Sequence, residues 1–172
     1  MDSPNHIFII GFMGAGKTSV ARRLAMITSL SLIDLDQRIR ILQHRSVTDI
    51  FRLQGEQAFR EAETHALKTL SFEPRSFVSC GGGIIETREN WDLMHESGTV
   101  LYLDVDFDEA VGRISHPKTR PLLADLDNAR EIYNKRRPLY SDCADITVKT
   151  KGSSVINIAQ ECKKVLIERE IL

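Results

Sequence analysis

Residues 6–20 read HIFIIGFMGAGKTSV: an apolar run, a glycine-rich turn, then a lysine and a threonine. HIFII has the length and β-branched content of a buried strand, while Val20, Leu24 and Ile27 recur three or four apart, as on the buried face of a helix. The seam between strand and helix therefore carries Gly11, Gly14, Ala15, Gly16, Lys17, Thr18 and Ser19. Gly11, Gly16, Lys17 and Thr18 fit G-x-x-x-x-G-K-[ST] in the strand-then-helix context that gives this pattern its meaning. Glycines let the chain turn tightly with its N–H groups pointing inward at the positive end of a helix, which makes a cradle for phosphate oxygens. Lys17 is placed to reach β- and γ-phosphates, and the Thr18 hydroxyl is a hard oxygen donor for Mg²⁺.

Outward from this seam, strand-like segments recur at 30–35 (LSLIDL), 76–80 (SFVSC), 99–105 (TVLYLDV) and 145–148 (DITV), with helix-like spacing between them. In residues 55–70, Ala58, Phe59, Ala62, Ala66, Leu67 and Leu70 fall on one helical face, and residues 153–170 repeat the pattern. Alternating strands and helices predict a three-layer α/β/α fold on a parallel sheet, with ligands bound at the carboxyl ends of the strands. No linker, repeat or low-complexity tract divides residues 1–172, so one domain is expected. Residues 115–128 (SHPKTRPLLADLDN), with two prolines and mixed charge, are the least regular stretch, and a loop of this length suits a lid.

Composition narrows the partners. Twenty-three Lys plus Arg against 24 Asp plus Glu leave a net charge of −1 in 172 residues, so no global field favours nucleic acid or an anionic membrane. The apolar runs are too short to span a bilayer and MDSPNH lacks the order of a secretory signal, so a cytoplasmic location is expected. Cys80, Cys143 and Cys162 are odd in number and lack a CxxC spacing, which predicts reduced, buried thiols.

The remaining chemistry should follow the strands. Strand alternation through LIDLD places Asp34 and Asp36 on one face, one to hold Mg²⁺ through water and the other to orient an acceptor hydroxyl; the competing reading makes Asp36 a helix N-cap. Arg60 and Glu63 stand three apart on a helix, so the carboxylate can aim the guanidinium at a ligand carboxylate. Gly81, Gly82 and Gly83, after the third strand, let backbone approach a small ligand closely.

Together GFMGAGKT, DLD, GEQAFREAE, CGGG, TRPLL and KRRPLY, in this order over residues 6 to about 150, resemble the shikimate kinase family. The resemblance implies a nucleoside monophosphate kinase-like fold of five parallel strands, a substrate-binding helical region at about 36–63 and a mobile lid at about 114–125. It implies transfer of the γ-phosphoryl of ATP, with Mg²⁺, to the 3-hydroxyl of shikimate, on the way to chorismate and aromatic amino acids. Catalysis would then fall to Lys17, Asp36 and Arg120. Asp36, Arg60, Arg136 and Gly81 to Gly83 would hold shikimate, with Arg137 the alternative to Arg136 and Glu63 supporting Arg60. Gly11, Gly14, Ala15, Gly16, Lys17, Thr18 and Ser19 would hold ATP with Arg120 over the phosphates and Arg113 beside adenine; Thr18 and, through water, Asp34 would serve the metal. Such an enzyme is expected to act as a monomer.

Two readings compete. A gluconate-type kinase would share the glycine loop and sheet but has no need of paired arginines beside a glycine triplet. A catalytically inactive nucleotide-binding module would not need every charged position filled. A GTPase switch is disfavoured by the absence of D-x-x-G and by NKRR at 134–137 in place of N-K-x-D.

Overall fold

The computed structural model describes residues 5–114 and 125–172. Its centre is β1 (His6–Ile10), buried along its whole length, which is why four bulky apolar residues, Ile7 to Ile10, follow one another there without a polar break. β1 is paired in parallel with β3 (Ser76–Ser79) on one side and β4 (Gly98–Asp104) on the other. β2 (Ser31–Asp34) flanks β3 and β5 (Ile146–Lys149) flanks β4, giving the parallel order β2-β3-β1-β4-β5. All five strands expected from the sequence form, each boundary falling within one residue of the expected one. The edge strand β5 buries Ile146 and Val148 and exposes Thr147 and Lys149, the period-two pattern of a strand with one wet face.

Helices cover both faces. α1 (Lys17–Thr28) buries Val20, Ala21 and Leu24 and packs against α7 (Val155–Glu168), which buries Ile158, Ala159, Cys162 and Leu166 at helical spacing. α2 (Leu35–Gln43) packs on α3 (Val47–Lys68), and α3 on α4 (Arg88–Ser97). A short α5 (Phe107–Gly112) leads towards α6 (Leu126–Cys143), which contacts β4 as α4 does. The helical face expected over 55–70 is the second part of α3: the helix starts earlier, breaks at Gly55 (φ 87°, ψ 176°), and buries Phe59, Ala62, Ala66 and Leu67 beyond the break.

One local expectation is corrected. β2 ends at Asp34, and Asp36 lies in the first turn of α2, so strand alternation does not bring the two aspartates together. The N-cap is Asp34, whose Oδ1 accepts from the Gln37 amide at 3.1 Å, and not Asp36. A carboxylate at the strand's last residue can satisfy the open amides of a helix that begins at once, so the chain turns two residues sooner than alternation implies. Cys80, Cys143 and Cys162 are all free and buried, as expected. Among the described residues no helix is long and apolar enough to cross a membrane.

The tightest packing of the sheet is at Gly98, opposite His6 in the β1–β4 register. A Cβ there would fall inside the contact distance of the His6 carbonyl and amide, forcing the two central strands apart. Gly98→Ala is therefore expected to lower stability by about 1–3 kcal/mol, as overpacking does. Gly112, with nothing within 4 Å of a built Cβ, should accept alanine without loss. Urea unfolding of the two variants checks this; equal midpoints would contradict it.

Candidate active site

Three parallel strands end level with one another, and their last residues build the site. Asp34 of β2 is in register with Ser79 of β3, and Ser79 with Ile9 of β1, two residues before Gly11 opens the glycine loop. Gly11, Gly14 and Gly16 have φ of 149°, 79° and 88°, the last as a left-handed N-cap of α1 with no side-chain cap, so the first amides of the helix face the loop. Lys17 Nζ donates to the carbonyls of Gly11 (2.7 Å) and Phe12 (3.0 Å), which folds the ammonium back over the loop. The Thr18 hydroxyl lies 2.9 Å from Ser79 Oγ and 3.4 Å from Asp34 Oδ2. Ser79 completes this hydroxyl and carboxylate group; nothing in the sequence singled it out, because a serine at a strand end carries no spacing signal.

A cavity of about 730 Å³ opens above these residues. Gly14, Gly16, Lys17, Thr18 and Ser19 form its floor with Asp34 and Ser79, while Asp36, Gly81 and Gly82 lie at one end and Arg113, Ser153, Ser154 and Val155 at the other. Arg113 is held there by Glu109 Oε1 (2.5 Å) and by the carbonyls of Thr150 (3.0 Å) and Ser153 (3.3 Å), tying α5 to the loop before α7. Gly11 and Ala15 are not in the lining: Gly11 supplies a carbonyl to Lys17, and Ala15 is wholly buried beneath the loop. Arg120, and with it nearly all of the lid expected at 114–125, lies outside the described residues.

Beyond Gly81 and Gly82 a second centre begins. Arg60 Nη1 donates to Glu63 Oε2 at 2.6 Å, and Arg60 Nη2 to Glu56 Oε1 at 3.1 Å and Glu86 Oε2 at 3.0 Å. Arg136, only 8% exposed, donates from Nη2 to the same Glu86 Oε2 at 3.2 Å. Thus α3, α6 and the turn after β3 deliver two guanidiniums to one point. Arg137 points elsewhere, to Asp104 Oδ2 at 3.4 Å, so Arg136 is the arginine beside Arg60. Gly83 explains the glycine triplet, since a Cβ there would overlap the Arg60 guanidinium. A Cβ on Gly81 would crowd Glu63 Oε1 at 3.1 Å and Asp36 Oδ1 at 3.2 Å. The Tyr140 hydroxyl donates to the Gly82 carbonyl and so clamps α6 to the triplet. Glu86 and Tyr140 are contacts that sequence spacing could not reveal, since each bridges elements far apart in the chain.

Two buried polar atoms here, Arg136 Nε and Glu63 Oε1, have no hydrogen-bond partner. Buried groups are ordinarily satisfied, and exceptions concentrate where a ligand or water completes the site. This arrangement has an anion cradle at one end, a carboxylate in the middle and converging cations at the other end, the layout of a phosphoryl-transfer enzyme with an anionic acceptor.

The "Shikimate kinase" family model matches residues 13–167. The chain belongs to the shikimate kinase family. The shikimate kinase of Bacillus mycoides is 38% identical over 164 residues, covering 94% of this chain and 98% of that one. That of Vibrio parahaemolyticus is 34% identical over 98% of this chain and all of its own length. The structure of an Acinetobacter baumannii shikimate kinase in complex with shikimate superposes with a TM-score of 0.90 at 29% identity, covering 98% of this chain and 96% of that one. A gluconokinase from Sinorhizobium meliloti superposes at 0.63 with 17% identity, which is a likeness of fold alone.

The Glu63 carboxyl sets a pH dependence of stability. Burial pushes it up to about 7, against the charge and hydrogen bond of Arg60, with Asp36 adding to the rise and Arg136 opposing it. An unfolded glutamate titrates near about 4.3. Between these values the folded chain holds a proton that the unfolded chain releases, so this group's contribution falls as pH rises towards 7, with a limiting slope of about 1.4 kcal/mol per unit. Glu63→Gln removes that slope. In urea titrations at several pH values from about 5 to 8, the wild type should decline relative to the variant; parallel profiles would contradict the assignment.

Proposed function

We propose that this chain transfers the γ-phosphoryl of ATP to the 3-hydroxyl of shikimate, with the two reactants placed at the two ends of the cavity floor. As a shikimate kinase it serves aromatic amino acid biosynthesis. The observation that carries the residue assignments is the pairing of Arg60 and Arg136 on one point, across Gly81 and Gly82 from the Lys17 loop. A planar guanidinium grips a carboxylate with two parallel hydrogen bonds, and two of them fix its direction as well as its charge. The glycine triplet lets the ring of the acid lie against backbone, with Asp36 on the hydroxyl side.

The steps follow from these positions. The loop amides from Gly14 to Ser19 and the Lys17 ammonium hold the β- and γ-phosphates, and Arg113 flanks the adenine end. Arg60 and Arg136 hold the shikimate carboxylate. Asp36 then accepts a hydrogen bond from the 3-hydroxyl and takes its proton as the oxygen attacks phosphorus in line with the leaving ADP oxygen. A loose transition state needs position and positive charge rather than a covalent intermediate, and Lys17 supplies both on the protein side. Arg120, which lies outside the described residues, is assigned the part of a second cation over the phosphates.

Mg²⁺ fits the Thr18, Asp34 and Ser79 oxygens. A carboxylate and two hydroxyls converge there, and Mg²⁺ characteristically takes few protein ligands and fills its shell with water and phosphate oxygen. Bound there, the ion would neutralise phosphate charge; Thr18 would touch it directly and Asp34 through water. Action as a monomer in the cytoplasm belongs to this reading, and three buried, unpaired cysteines suit a reducing compartment.

ATP consumption by the purified chain with shikimate, with gluconate and with no acceptor tests this reading: turnover only with shikimate is expected, and equal turnover with gluconate would overturn it. Lys17→Ala and Arg120→Ala should each lower kcat by roughly 10³-fold, since each removes charge from the phosphate. Arg60→Ala should raise the KM for shikimate by a factor equivalent to about 2–4 kcal/mol, with the KM for ATP little moved. A raised KM for ATP alone would refute the role given to Arg60.

A further inference from the structure

Glu86 has no part in the roles described so far, yet its carboxylate sits at their meeting point. Oε2 accepts from Nη2 of both Arg60 and Arg136, and Oε1 lies 3.5 Å from Lys135 Nζ. Its side chain hangs from the short 3-10 turn Ile84–Glu86, directly after the glycine triplet. Other groups anchor that turn: the Trp91 indole donates to the Ile85 carbonyl at 2.8 Å, the Asn90 amide to that of Ile84 at 3.0 Å, and the Glu86 amide to that of Gly83 at 3.0 Å. The backbone is thus fixed without the carboxylate, whose visible work is confined to the two arginines and Lys135.

The charge count makes this contact consequential. Arg60 already faces Glu63 and Glu56, and Glu86 spans the one pair of guanidinium nitrogens through which Arg60 and Arg136 meet. A ligand carboxylate arriving there would meet a like charge on donors already engaged. Lys135 is well placed to receive the displaced group: its side chain is 71% exposed and already within ion-pair reach of the other carboxylate oxygen.

We propose that Glu86 is a resident counter-ion that occupies the shared donors of Arg60 and Arg136, yields them to the shikimate carboxylate, and passes to Lys135, so that it sets affinity for the acid. The proposal rests on the reading that these arginines take that carboxylate. Burial disfavours charge on Glu86, but the hydrogen bond and charge of Arg136, with Arg60 and Lys135 behind, hold its carboxyl below the usual range. The competitor is therefore ionised at neutral pH. Glu86 acts on the substrate through the arginines and is a specificity-setting residue, not a catalytic one.

The test is a comparison of Glu86→Gln, Lys135→Met, Arg136→Met and Glu86→Gln/Arg136→Met with the wild type. Steady-state kinetics is joined by shikimate titration of the fluorescence of Trp91, the chain's single tryptophan, which neighbours Glu86. Glu86→Gln keeps the side chain's shape and removes its charge, so the KM and Kd for shikimate should fall by about tenfold, the worth of one charge-assisted contact no longer competed for. The change should appear in KM rather than in kcat, which loss of a structural support would not produce. Lys135→Met should raise the KM, and the gain from Glu86→Gln should shrink in the Arg136→Met background. A raised or unmoved KM in a folded Glu86→Gln variant, beside a raised KM in Arg136→Met, overturns this proposal alone. An unmoved KM in Arg136→Met overturns the reading of the arginines, and the proposal with it.

Discussion

The carboxyl ends of β1, β2 and β3 stop level with one another, held there by a parallel register that pairs Asp34 with Ser79 and Ser79 with Ile9. Each strand hands its chain to a different kind of group. β1 leads to the glycine loop and Lys17, β2 to the Asp34 carboxylate beside Thr18 and then Asp36, β3 to the glycine triplet. A slip of the register by one residue would turn Ser79 away from Thr18 and carry the triplet off Arg60. Packing of apolar side chains enforces the alignment, because β1 is buried on both faces and its neighbours have nowhere else to place Phe77, Val78, Val100 and Leu101. Chemistry at this edge is thus a consequence of how the core is filled.

On that frame the site is an exercise in managing charge out of water. Arg60 and Arg136 are largely buried, and a buried cation without an anion is costly. The chain sets Glu63, fully buried, against Arg60, and Glu86, partly buried, against both arginines. Glu63 cannot be exchanged, for it is sealed behind Gly81. Glu86 has an exposed side and a cation waiting beside it. The two arginines are thus held in the folded chain by one carboxylate that is sealed in and one that is partly open, and the proposed grip on an incoming acid rests on the second.

How much of this could be read beforehand depends on where the information lies. The glycine loop, the five strands and the position of Arg60 against Glu63 were legible because each is local: fixed spacing, run length or helical period determines them. Asp34 and Asp36 were rightly brought to one cavity but by the wrong geometry, since DLD reads equally well as a strand end or as a cap followed by a first helical turn. The cap won because an aspartate at the junction satisfies an amide that a continued strand would not present. Ser79, Tyr140 and Glu86 were silent for a different reason. Their partners lie 61, 58 and 50 residues away in the chain, at Thr18, Gly82 and Arg136, and no periodicity records a contact of that span. That Arg136 and not Arg137 stands beside Arg60, which KRRPLY leaves open, likewise depends on which helical face meets the turn after β3.

In the proposed reaction, phosphate and acid are gripped at opposite ends of a single floor. A crystal structure with ADP, Mg²⁺ and shikimate measures that placement directly. The expected result is diphosphate oxygens on the amides of Gly14 to Ser19, the shikimate carboxylate between the guanidiniums of Arg60 and Arg136, and its 3-hydroxyl on Asp36. Shikimate bound away from those two guanidiniums, or a diphosphate off the loop, would contradict it.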